Sequence, residues 1–288
     1  MAFEAFKAKY RVTIENYLTS AFDRCEDTEV CRIAKYISLN GGHRWRALVA
    51  AAAGTIFHEN ATRMVLPGAA GVELSHSASL ILDDLPSMDD GQMRRGRPCA
   101  HRVFPMWAVE LTPVFLVTMS YELALSNPLV NPDRRVAAAI VLSRSGVAMI
   151  SGQENDVAPT SNQIDEAQLL HRYRQKSGAL YAAAAEGGGI LCGASDDCAK
   201  RLRAAGMWLG LAYQFLDDVA DATVDPTIVG KDTQADANKL TSVRLFGVEG
   251  ATSKSLEFQE QALDAIESYG KEADYLRKLI TQASWAPS

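Results

Sequence analysis

The sequence predicts an all-α fold, and three observations predict it. Apolar residues recur every three or four positions along most of the 288 residues, the spacing of one helix face. The apolar runs are rich in Ala and Leu, which favour helix. No segment alternates apolar and polar residues between turn signals, as a half-buried strand would. The expectation is a bundle of about ten helices, some of them central with neighbours on every side or lining a dry cavity.

In chain order, "NYLTSAF" (Asn16–Phe22), "VCRIAKYISL" (Val30–Leu39) and "RALVAAAAGTIF" (Arg46–Phe57) carry the helical spacing. The "NGG" break at Asn40–Gly42 separates the last two. "AGVELSHSASLIL" (Ala70–Leu82) and "VFLVTMSYELAL" (Val114–Leu125) follow, and both are apolar almost all round. Turn-rich "SNPLVNPD" precedes "RRVAAAIVLSRSGVAMISGQ" (Arg134–Gln153), and "APTSNQID" follows it. Asp165 and Ser195 are suited to cap the next two runs, Glu166–Leu191 and Cys198–Asp221, because their side chains accept from exposed helical N–H groups. After a second turn-rich stretch, Val224–Lys239, comes "KSLEFQEQALDAIESY" (Lys254–Tyr269). No linker, fixed-period repeat or low-complexity tract divides the chain, so residues 1–288 read as one domain.

Composition narrows the function. A net charge of −6 leaves no extended basic face for phosphate backbones, which excludes a nucleic-acid binder. No uninterrupted apolar run reaches the roughly 18 residues of a membrane span. The first residues lack the pattern of a secretory signal, so the chain reads as cytoplasmic. Five scattered cysteines without zinc spacing read as free thiols.

Ser77–Pro98, "SASLILDDLPSMDDGQMRRGRP", packs four aspartates and three arginines onto the end of an apolar helix. A second acidic set, Asp217, Asp218 and Asp221 in "YQFLDDVAD", ends another. Asp217 and Asp221 lie one turn apart on one face at ~100° per residue. Such a pair suits Mg²⁺, which takes one or two carboxylates and fills its other positions with water and phosphate oxygens. Asp83 and Asp89 would stand about 120° apart on a regular helix. Pro86 lacks an N–H and disfavours helix at Leu85, so a distorted end can bring them together. Two carboxylate clusters closing apolar helices, one followed by Arg94-Arg95, predict a metal–diphosphate site at the mouth of an apolar pocket.

"DDLPSMDDGQMRRG", "GQENDV", "KSGAL" and "AYQFLDDVAD", in that order, resemble the trans-isoprenyl diphosphate synthases, and most nearly the bacterial geranylgeranyl and farnesyl diphosphate synthases. The resemblance runs from about Gly41 to Thr241. It implies an all-α, isoprenoid synthase-type bundle of about ten or more helices around a deep central cavity, usually a homodimer. Such a bundle condenses isopentenyl diphosphate head-to-tail with an allylic diphosphate (dimethylallyl, geranyl or farnesyl). Up to three Mg²⁺ ions would be bound with the allylic diphosphate. Asp83, Asp84, Asp89, Asp217, Asp218 and Asp221 are then the metal residues. Arg94 would contact the allylic diphosphate and Arg95 the isopentenyl one, a task suited to the planar guanidinium fork. Lys176 and Ser177 match a Lys-Thr pair near the ionising carbon. Gln214, Lys231 and Lys239 match further catalytic positions. His76, two turns before Asp83, matches a histidine that contacts isopentenyl diphosphate.

This chain departs from the family pattern twice. Where the family has Gly-Gly-Lys-Arg-x-Arg-Pro, it reads "GGHRWRAL", with His43 for lysine, Ala47 for proline, and Arg44 and Arg46 retained. An imidazole titrates near pH 6.5, so the resemblance implies that isopentenyl diphosphate binds less well as pH rises above neutrality. The second departure, Thr112-Pro113, is expected to alter the start of its helix and the pocket wall. Product length should follow from Ala78 and Ser79, one turn below Asp83. Both are small, which points to geranylgeranyl diphosphate. Farnesyl or geranyl synthesis is the alternative, with Phe115, Met119 or Tyr121 closing the pocket earlier. A class I terpene cyclase is disfavoured by the second aspartate set, and a non-catalytic partner subunit by the survival of both sets.

Overall fold

A computed structural model describes residues 2–157, 165–223 and 241–282. The all-α expectation holds. The helices are α1 (Ala2–Phe22), α2 (Glu29–Ser38), α3 (Trp45–Thr55), the single turn α4 (Ala61–Met64) and α5 (Leu66–Asp83). Next come the single turn α6 (Ala100–Val103), α7 (Met106–Leu125), α8 (Pro132–Val157) and α9 (Glu166–Tyr173). The series closes with α10 (Ala179–Cys192), α11 (Asp196–Thr223), α12 (Ser242–Ile266) and α13 (Asp274–Thr281).

The centre is built by close approach of small residues. Ala47–Gly54 of α3 and nearly all of α10 are buried, and the two helices pack together. A β-carbon on Gly188 would be driven into the Ala50 carbonyl, and one on Gly206 of α11 into the Tyr181 carbonyl. Glycine at these two positions lets three helix axes come closer than larger side chains allow. Around this centre α5 packs on α7, α10 on α8, and α11 on α12. A second core cluster joins α9, α11 and α12, where Phe215 meets Tyr173 and Phe258 edge-on.

Helix ends follow side-chain capping. Thr28 accepts from Cys31 N, Thr241 accepts from Arg244 N, and Asp165 with Gln168 forms a reciprocal capping box. Gly193 ends α10 in the left-handed conformation. Cys198 N donates to the Ser195 hydroxyl, as the sequence suggested. All five cysteines are free thiols.

The structure corrects four readings. The first helix begins at Ala2, because Phe3, Tyr10 and Ile14 already bury at helical spacing. The run Glu166–Leu191 is not one regular helix: a π-helical turn, Arg174–Gly178, separates α9 from α10. Pro113 stands inside α7, well after its start at Met106, while the Thr112 hydroxyl bonds back to the Ala108 carbonyl. A short C-terminal helix, α13, was missed although Leu276, Leu279 and Ile280 are buried at helical spacing. A two-residue antiparallel ladder, β1 (Met93–Arg94) with β2 (Arg97–Pro98), closes the arginine loop. By length and composition, α7 and α8 are apolar enough to cross a membrane, more than the uninterrupted runs indicated. Half of that stretch of α7 is buried inside the bundle.

Candidate active site

A cavity of about 1090 Å³ runs down the bundle, lined by residues of α3, α5, α7, α8, α10 and α11 and by the π turn. Every site residue expected from the sequence lines it except Lys231 and Lys239, which lie outside the described residues. The mouth is charged and the depth apolar.

Helix α5 ends at Asp83, and the chain then curls back on itself. Asp89 N donates to the Asp83 carbonyl at 3.0 Å, and Asp90 N to the Leu85 carbonyl at 3.1 Å. The distorted end thus returns Asp89 to Asp83, as the proline suggested. Burial raises the Asp83 carboxyl above the ordinary range; Lys176 and Arg94 pull it down, and Asp89 pushes it up again. Asp84 is buried and held by Arg94, whose Nη2 lies 2.5 Å and Nε 3.2 Å from its oxygens. Burial works against the Arg94 charge, but the bonded Asp84 outweighs it and raises the pKa.

Across the cavity the second acidic set comes from α11. Both oxygens of Asp218 are committed: Oδ2 accepts from the Tyr173 hydroxyl at 2.6 Å and from Ser242 N and Oγ at 2.8 and 2.6 Å. Oδ1 accepts from Gln214 Nε2 at 2.9 Å. Gln214 Oε1 in turn accepts from the Ser177 hydroxyl at 2.5 Å. Asp217 and Asp221 line the same cavity. Among the described residues no three His, Cys, Asp or Glu side chains form a ready-made cation cage. The donors at the mouth are nevertheless carboxylate oxygens, which suit a hard cation that completes its shell with phosphate and water.

The basic side is assembled from two loops. Gly41, Gly42 and Arg44 have positive φ, as do Arg95 and Gly96, so both loops turn sharply. They meet where the Arg95 guanidinium covers Gly42, at 2.9 Å from where a β-carbon would sit. Burial and then Arg44 lower the Arg95 pKa to about 10. Arg46 stacks over the Tyr181 ring at 4.5 Å. His76 is held well below the ordinary imidazole value by burial and then by Arg46, Arg95, Arg94 and Arg44, so its ring is neutral. His43 joins the lining. Arg44 differs from expectation: its side chain is 1% exposed, donating to the Ser38 carbonyl at 2.7 Å and pairing with buried Glu73 at 3.5 Å. Glu73 also accepts from Ala47 N, so the pair braces the start of α3.

Lys176 sits on the π turn, 2.6 Å from Asp156 and 3.8 Å from Asp83. Buried Arg172 pairs with Asp156 at 3.5 Å. Sequence reasoning singled out "GQENDV" but not Asp156 itself, and it missed Arg172, Tyr173 and Ser242. An acid at the end of α8 was the only local signal for Asp156; nothing local marks a buried Arg or Tyr as a polar partner.

The apolar part of the lining includes Ala78, Leu82, Val117, Tyr121, Met149 and Ile150, with Ala78 buried and Ile150 exposed at the open side. Tyr121 lines the cavity, whereas Phe115 and Met119 are not among the lining residues.

The Polyprenyl synthetase family profile matches residues 27–282. A heterodimeric geranylgeranyl pyrophosphate synthase large subunit from Arabidopsis thaliana is 31% identical, over 94% of this chain and 75% of its own. A probable farnesyl diphosphate synthase from Sinorhizobium fredii is also 31% identical, over 90% of this chain and 80% of its own. Among solved structures, a Helicobacter pylori geranyltransferase complexed with magnesium and isoprenyl diphosphate superposes with a TM-score of 0.85 at 25% identity. That match covers 98% of this chain and 96% of the other.

Proposed function

The chain belongs to the polyprenyl synthetase family, and we propose that it is a Mg²⁺-dependent prenyltransferase joining isopentenyl diphosphate to an allylic diphosphate, with geranylgeranyl diphosphate as product. One observation carries this reading: two acidic helix ends and a set of arginines share the mouth of a single apolar-bottomed cavity.

Asp83, Asp89, Asp217 and Asp221 are the residues that would hold the metal, which when bound supplies Lewis-acid stabilisation to the leaving diphosphate oxygens. The chain's own groups do the rest. Arg94 and Lys176 stand beside Asp83 and add fixed positive charge where the diphosphate departs. Arg46 of α3, His76 of α5 and the loop residues His43 and Arg95 line the same cavity and would hold isopentenyl diphosphate. The neutral His76 ring can donate to a phosphate oxygen from one nitrogen. The apolar depth keeps water from the allylic cation. Lys231 and Lys239 remain catalytic candidates on the resemblance alone.

The small Ala78 and Ser79 support a long tube, and Ala78 is buried against it. A homodimer through α7 and α8 belongs to the same reading. Trp107, Leu111, Val136 and Ile140 are exposed apolar side chains there. Exposed Glu110 and Glu122 on α7 complement exposed Arg144 on α8.

Purified protein incubated with Mg²⁺, isopentenyl diphosphate and each allylic primer tests this. Extension to C20 is expected, and Ala78→Phe should shorten the main product. No extension with any primer would replace the reading with that of a non-catalytic subunit. An unchanged distribution in Ala78→Phe would move the floor of the tube elsewhere.

A further inference from the structure

The strongest unassigned arrangement is the chain of hydrogen bonds that ends on Ser177. We infer that Asp218, held by Tyr173 and Ser242, is a positioning residue that fixes through Gln214 which way the Ser177 hydroxyl points. This rests on the prenyl-transfer reading and takes Asp218 out of the metal set.

An ionised carboxylate is an acceptor only, with about four lone-pair sites. Asp218 is 8% exposed and receives four donors: Tyr173 Oη, Ser242 N, Ser242 Oγ and Gln214 Nε2. Its capacity is used within the protein. The consequence passes along the chain. An acceptor-only partner forces Gln214 to present Nε2 to Asp218, so Oε1 must face Ser177. An amide oxygen is also acceptor-only, so the Ser177 hydroxyl must be the donor, as its 2.5 Å contact is oriented. The proton of Ser177 is thereby turned toward Gln214, and what remains for the cavity is the oxygen's lone pairs. A fixed negative dipole end is what a developing allylic cation requires, and one already oriented costs no reorganisation during reaction. Unaided, a serine hydroxyl rotates among its staggered positions. Here Gln214, Asp218 and Ser242, all remote from Ser177 in sequence, together with Tyr173 remove that freedom.

The test reverses the relay. In Asp218→Asn, the Ser242 backbone N–H still demands an oxygen, so the new amide nitrogen faces Gln214. Gln214 must then turn over and donate to Ser177, whose proton is released toward the cavity. We expect kcat to fall on the order of 10²-fold, with the Michaelis constants of both diphosphates and the Mg²⁺ half-saturation within roughly threefold of wild type. Calorimetric titration with Mg²⁺ and inorganic pyrophosphate should give equal affinities for the two proteins. In a Ser177→Ala background the same substitution should cost no further kcat, since no hydroxyl is left to orient. Tyr173→Phe, which removes one donor and adds nothing, should lower kcat less and obey the same cycle. It carries the test if Asp218→Asn does not fold.

A raised Mg²⁺ requirement or weakened pyrophosphate binding in Asp218→Asn would return Asp218 to the metal. An undiminished further loss on the Ser177→Ala background would show that it acts by another route. Wild-type turnover with kcat unchanged in both variants defeats this assignment alone; a wild type that extends no primer defeats the function and the assignment together.

Discussion

His76 shows how one residue reports the charge around it. Burial and four arginines disfavour its protonated form, so its folded pKa lies well below the ordinary value. In the unfolded chain the ring titrates near pH 6.5. Below that pH the unfolded state takes up a proton that the folded state refuses. The contribution is therefore fully present above pH 6.5 and is lost as pH falls below it, at up to about 1.4 kcal/mol per pH unit. Urea midpoints at pH 5.5 and 7.5 should differ more in wild type than in His76→Gln; equal differences would place the pH sensitivity on other groups. The residue scale is also where the sequence was least complete. Its acids and arginines were legible because charge at the end of an apolar helix is conspicuous. That Arg44 braces Glu73 while Arg46 lies over Tyr181 was not legible, because two residues of the same type in one motif differ only in what they fold against.

Among the elements, the junction of α8 with the π turn governs the placement of Lys176, the lysine proposed as catalytic. A β-carbon on Gly152 would lie 2.5 Å from Lys176 N and 2.9 Å from Lys176 Cα, so the α8 backbone rests directly on the turn. Asp156, one helical turn further on, then reaches the Lys176 ammonium. Gly152→Ala must push the turn away. We expect a loss of roughly 1–3 kcal/mol of stability from overpacking and a fall in kcat of roughly 10- to 100-fold from misplaced Lys176. Thermal unfolding and steady-state kinetics would check this, and wild-type values for both would show that the junction is soft. Helical periodicity could not foretell the π turn, since its apolar spacing continues across Glu166–Leu191. The same periodicity located the long helices because burial, which it encodes, also determines where they pack. It underplayed α1 and α13, whose buried residues are fewer and set among polar ones.

For the whole molecule, the exposed apolar residues of α7 and α8 form the surface assigned to the proposed dimer. Leu111→Glu or Ile140→Glu should halve the mass measured by light scattering, with helicity by circular dichroism retained; an unchanged mass would put the interface elsewhere. The sequence showed that these helices are apolar nearly all round, but not which face meets the bundle and which meets a partner, because that depends on neighbours distant in the chain. Helix α5 carries both Ala78 of the tube and Asp83 of the mouth, and α8 carries both Ile150 and Asp156. Re-cutting the tube on either helix levers the charged end as well. Helix α7 contributes Val114, Val117 and Tyr121 to the wall and none of the residues assigned to metal, diphosphate or catalysis. On the proposed function, substitutions on α7 should change hydrocarbon length with little penalty in turnover, which makes that helix the adjustable part of the cavity.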